Sequence, residues 1–179
     1  AWRMLNFIFC ERCGYPIPGV HGVCHTDLNG TFKGQTFVMN GGWHDAADMS
    51  QQFLQSGEIV YGLLEVANRA KEKGENDLYL RTIEEAEWGI DLLLKSRFTE
   101  GYRAQTWGTN LWTDGFIRTK DDTMRYRKIR VHNRAFENFV FSGIEAFAAL
   151  SIQNDKMLKE KLAKTAIEDF AFAKKRFDS

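Results

Sequence analysis

Apolar residues return every three or four positions in five separate stretches of this chain, a period that predicts five helices. Trp2, Leu5, Ile8 and Phe9 mark the first, over about residues 1 to 13, where Gly14 and Pro16 stop it. The second runs from about Ser50 to Lys73 on Phe53, Gly57, Val60, Leu64 and Ala67, with Gly74 placed as its C-terminal cap. Its apolar stripe is wide, which suits a helix buried on two sides. After an Asn76-Asp77 start signal, Leu80, Ile83, Ile90 and Leu94 carry a third helix to about Arg97. Phe136, Val140, Gly143, Phe147 and Leu150 define a fourth from about Asn133 to Ile152. Asn154-Asp155 opens a fifth, whose stripe of Leu158, Leu162, Ala166, Phe170, Ala173 and Phe177 reaches the end of the chain.

Short and long connections alternate between these helices. Residues 14 to 48 hold both prolines, seven glycines and three of the four histidines. Residues 98 to 131 lose the helical period and hold Tyr102, Trp107, Trp112, Phe116 and Tyr126. Connections of that length inside a domain are usually functional. The one strand signal is a small hairpin over about 116 to 131, so the pattern is all-α. Such helix pairs stack into bundles, solenoids or α/α barrels, and periodicity does not choose among them.

The chemistry concentrates in Gly41-Gly42-Trp43-His44-Asp45-Ala46-Ala47-Asp48, where two carboxylates stand three residues apart beside an aromatic ring. On a helical turn that spacing puts their Cβ atoms roughly 5–6 Å apart on one side, close enough to hold a water between them. The second reading of either aspartate is an N-cap for the helix beginning near Ser50. The two are compatible, because a helix N-terminus keeps a carboxylate ionised and a general base has to be ionised.

GGWHDAAD resembles the GGWHDAGD signature of glycoside hydrolase family nine, the inverting cellulases and related β-glycosidases. The resemblance implies that Asp48 is the catalytic base and Asp45 its partner on the water. Trp43 and His44 adjoin them and are read as substrate-binding, His44 as a support that orients substrate or hydrogen-bonds a carboxylate, at a place where the family often has tyrosine. It also implies an (α/α)6 barrel, of which residues 1–179 form the N-terminal portion of one catalytic domain with about the first five helices. Ala47 stands where the family usually has glycine, and Ala86 to Lys95 is similar to the family's WGLDFLLK-type helix. In the family the acid is a glutamate near the C-terminal end of the domain, so this chain reads as a piece that is inactive alone. Glu58, Glu65 and Glu87 have ordinary solvated-face explanations. Export follows from the family as well, since polymeric glycans lie outside the cell.

Cys13, His21, Cys24 and His25 fall within thirteen residues, and two thiolates with two imidazoles make a closed tetrahedral set for a structural zinc. A Cys13–Cys24 disulfide and four unrelated loop residues are the other readings. Arg12-Cys13-Gly14 through His21-Gly22-Val23-Cys24-His25-Thr26 resembles the RCG…HGxCHT segment of zinc-carrying bacterial members, which implies those four as ligands. Residues 13–48 then form one zinc and catalytic loop. Cys10 is the odd thiol, read as a small buried hydrophobe.

Trp107 and Trp112, in the connection over 98–131, either stack on sugar rings or pack against their own loop. His132 reads as a surface or capping residue. The formal net charge is zero, which argues against nucleic acid. Lys120 to Arg130 carries five basic residues and two aspartates, and reads as a solvated hairpin whose arginines could meet acidic sugars. No apolar run approaches a transmembrane span. The expected partners are a β-glucan-like carbohydrate and the rest of the catalytic domain. Two other classes stay open: another α/α carbohydrate enzyme, such as a uronan lyase or a glucuronyl hydrolase, and a zinc-stabilised module that binds glycan without catalysis.

Overall fold

The computed structural model describes residues 1–24, 29–38, 40–45, 51–98, 101–107 and 130–178. The helices are α1 (Trp2–Cys10), α2 (Phe53–Glu72), α3 (Asn76–Lys95), α4 (Ala135–Ser151) and α5 (Lys156–Phe177). All five lie where the apolar stripes place them. α1 ends three residues early, because Glu11 to Cys13 leave the helix to pair with Gly42 to His44. Asp155 caps α5 by accepting the Leu158 N–H at 2.8 Å, as the Asn154-Asp155 signal predicts.

α2 and α3 form one helical hairpin, turned at Gly74, and α4 and α5 form another. The hairpins meet where α2 crosses α4. Gly57 permits the close approach, since a Cβ there would stand 2.9 Å from Ile144 Cδ1 and 3.3 Å from the Phe141 ring. Phe53, Leu64, Ile90, Leu93, Phe141 and Ile152 fill the shared core. Among the described residues, no helix is long and apolar enough to cross a membrane.

Strands appear that the apolar pattern does not predict. β1 (Asn29–Phe32) and β2 (Gln35–Val38) make an antiparallel hairpin turned at Lys33 and Gly34, both at positive φ. β3 (Gln51–Gln52), β4 (Arg103–Trp107) and β5 (Arg130–His132) form an antiparallel sheet in that order, with Gln51 opposite Trp107 and Ala104 opposite Val131. This sheet ties the end of the first long connection to both ends of the second. Residues 116 to 129 of the expected hairpin lie outside the described residues.

Arg103 anchors the second connection in the core. Its guanidinium bonds the Asp169 and Glu145 carboxylates and donates to Leu93 O at 3.2 Å, while Arg97 holds the other Asp169 oxygen at 2.8 Å. Burial of this kind favours neutral groups. It raises the Glu145 carboxyl to about 7 in spite of the opposing pull of Arg103, and the neighbouring Asp169 adds to the rise.

A carboxyl whose pKa is higher folded than unfolded contributes stability that is complete below about pH 4 and lost as pH rises through about 7. Glu145→Gln, which stays neutral, should therefore flatten part of the decline in urea midpoint across that range. Parallel pH profiles for the variant and the parent protein would contradict the assignment.

Candidate metal and catalytic site

The site begins with two pieces of backbone. Cys13 N donates to Gly42 O at 2.8 Å and His44 N donates to Glu11 O at 2.8 Å, which makes Arg12 and Trp43 directly opposed antiparallel partners. Between two such bonds lies a non-hydrogen-bonded pair, where opposing side chains come closest. Side-chain alternation then sends Arg12 and Trp43 to one face and Cys13 and His44 to the other. Gly41 and Gly42, at φ +115° and +68°, turn the chain into this pairing through conformations that side chains disfavour.

On the first face, residues 40 to 43 run along α3. Lys95 Nζ reaches Asn40 O at 3.4 Å, and the Trp88 indole donates to Gly42 O at 2.7 Å. Glu85, fully buried, accepts the Trp43 indole N–H at 2.8 Å and Arg12 at 3.0 and 2.9 Å through both of its oxygens. Gly89 leaves the space that the Trp43 ring occupies. The Arg12 guanidinium also lies 4.8 Å from the Trp88 ring centroid and 4.9 Å from that of Phe9.

On the second face, the Cys13 and Cys24 sulfurs and one His44 ring nitrogen all lie within 4.8 Å of one another. His44 Nε2 is 3.5 Å from Cys24 Sγ, which also accepts the Gly14 N–H at 3.2 Å. Both cysteines are buried and not joined to each other, so the disulfide reading is not realised. A hydrogen bond with Cys24, and then burial, hold the Cys13 thiol well above its ordinary value, against a weaker opposing hydrogen bond at Gly41. A bound dication reverses that preference by stabilising thiolate. Two soft sulfurs and an imidazole fit such an ion.

His21 does not belong to this set. Its ring nitrogens stand 2.7 Å from Gly22 O and 3.0 Å from Cys10 O, so backbone carbonyls occupy both positions a metal would use. His44 stands in the group of three instead, and the His21 ring lies edge-on to it at 5.4 Å. His44 thus stands in a group that could hold a metal ion. Trp43, placed beside the substrate by the sequence reading, is 2% exposed and packs against α3. His25, Asp48 and Trp112 lie outside the described residues.

Asp45 is exposed, and its Oδ2 accepts the Gln52 N–H at 3.0 Å at the start of α2. Asp45 is not the N-cap of α2, a position that Gln52 holds. Trp107 ends β4, its backbone opposite Gln51. A separate cleft of about 750 Å³, lined by Arg97, Tyr102, Phe172 and Lys175, contains none of the expected site residues. Arg12, Glu85 and Trp88 are the site residues that sequence reasoning missed.

The family profile described as glycosyl hydrolase family 9 matches residues 2–179. The chain belongs to that family. Among solved structures it is similar to a single-mutant thermostable endoglucanase from Alicyclobacillus acidocaldarius, at 21% identity and TM-score 0.79 over 96% of this chain and 36% of that one. A zinc-binding triple mutant of a family 9 endoglucanase matches at 18% identity and TM-score 0.75, over 96% of this chain and 36% of that one. Endoglucanase CelQ from Clostridium thermocellum, complexed with cellotetraose, matches at 13% identity and TM-score 0.68, over 97% and 28%. These likenesses show the fold, part of the α/α barrel of family 9, and this chain spans about a third of the length of those it matches. No curated protein matches the sequence.

A methyl group at position 89 would land within the Trp43 ring and force the family 9 turn away from α3. Gly89→Ala should cost about 1–3 kcal/mol of unfolding free energy in urea, the range for overpacking a filled site. Unchanged stability would show that the ring does not need this gap.

Proposed function

We propose that this chain supplies the water-activating half of an inverting, cellulase-like β-glycoside hydrolase. Asp48 acts as general base and Asp45 positions the attacking water. The reading is supported by residues 41–45, the described part of the family 9 motif: Gly42 O accepts the Trp88 indole of α3, His44 lies beside the two cysteines, and the Asp45 carboxylate is in contact with the Gln52 N–H ahead of α2.

The base withdraws a proton from water as its oxygen attacks the anomeric carbon from the face opposite the leaving group. A carboxylic acid about 6.5–9.5 Å away protonates the departing glycosidic oxygen. That acid belongs to the part of the family 9 domain which this chain does not match, so the isolated chain should turn over no β-glucan. The substrate class is a β-glucan outside the cell, in keeping with the cello-oligosaccharide bound to one similar endoglucanase. Trp112 and Trp107 are candidates for stacking on its rings.

Cys13, Cys24 and His44 would hold a structural zinc, with His25 as the fourth donor by its position next to Cys24. The ion would order a glycine-rich loop that has no core of its own. It takes part in no bond change.

In a catalytic domain that carries this segment with the remaining helices, Asp48→Asn should lower kcat on β-glucan by about 10²–10⁴-fold and leave cellotetraose affinity nearly unchanged. Retained turnover would overturn the base assignment, and so would turnover by the 179-residue chain alone.

A further inference from the structure

We infer that Glu85 of α3 is the positioning residue of the metal site, holding Cys13 and His44 at ligand separation through Arg12 and Trp43 without touching either donor. The inference rests on the reading above that the Cys13, Cys24 and His44 set binds a metal.

Cys13 and His44 belong to segments about thirty residues apart, joined by two backbone hydrogen bonds around the Arg12–Trp43 pair. Arg12 is chemically bound to Cys13 and Trp43 to His44. A single carboxylate receives both of these neighbours: Oε1 takes the Trp43 indole and the Arg12 Nε, and Oε2 takes the Arg12 Nη2. Glu85 has no exposed surface, so water cannot substitute for it when it is removed. Three geometric constraints therefore meet on one rigid helix. The carboxylate sets how far apart the two segments lie, the Trp88 bond to Gly42 O sets their height along α3, and Gly89 lets the Trp43 ring sit flush. Side-chain alternation carries that separation through to the donors on the opposite face. Partners of this outer kind commonly govern metal affinity by 10–100-fold.

The test uses Co(II), whose thiolate charge-transfer and d–d bands report sulfur ligation and tetrahedral geometry. Glu85→Gln, which keeps the shape and removes the charge, should weaken Co(II) binding by about 10–100-fold in chelator competition and shift or weaken the d–d bands. Asp169→Asn breaks the other buried ionic cluster and serves as a control for general loosening, so it should leave affinity and spectrum unchanged. Trp43→Phe removes the indole bond to Glu85 while keeping a ring against α3, and should give the same spectral change with a smaller loss of affinity. It decides the matter should Glu85→Gln lose its helical far-UV signal. Wild-type Co(II) affinity and spectrum in both Glu85→Gln and Trp43→Phe would overturn the inference, as would an equal loss in Asp169→Asn. A parent protein that shows no thiolate–Co(II) absorption would instead overturn the metal reading on which it rests.

Discussion

One buried carboxylate, that of Glu85, accepts three hydrogen bonds from two segments that are far apart in sequence, and the arrangement of the first long connection depends on it. An unpaired charge at such a depth costs several kcal/mol, so the pairing with Arg12 is obligatory once α3 carries a glutamate there. Breaking one partner of a buried pair is far more damaging than never having built it. The folded position of Trp43, and with it the entry into the aspartate turn, follows from satisfying that charge.

The second long connection obeys the same logic with different residues. Arg103 enters the core from β4 and is neutralised by Asp169 and Glu145 on the other helical hairpin. Each long connection is thus pinned by one buried arginine, Arg12 against α3 and Arg103 against α4 and α5. The sheet of β3, β4 and β5 then joins the two connections directly ahead of α2. Functional residues can sit on loops here because the loops are fixed at charged points on rigid helices.

The helices were legible because each carries an unbroken apolar stripe, and a stripe is a local signal. The strands were not. Gln51-Gln52 has no β pattern, and its pairing with Thr106 and Trp107 is a contact across more than fifty residues. The metal donors show the same limit. Cys13 and Cys24 were recognisable by type and spacing, but His21 was the nearer histidine in sequence and His44 the nearer in space, brought in by the pairing of 11–13 with 42–44. The burial of Trp43 has no local signal either, because the gap that receives its ring is made by Gly89 on another helix. Glu85 stands in a run with Glu84 and Glu87, and nothing in the run marks which of the three is buried.

The central claim is that this pairing assembles a sulfur-rich metal site behind the aspartate turn. X-ray absorption at the zinc edge of the metal-loaded chain tests it most directly. The expected result is a four-coordinate shell with two sulfurs at about 2.3 Å and lighter donors at about 2.0–2.1 Å, the sulfur contribution vanishing in the Cys13→Ser, Cys24→Ser double variant. A shell of nitrogen and oxygen alone, or a sulfur signal that survives the loss of both cysteines, would contradict it.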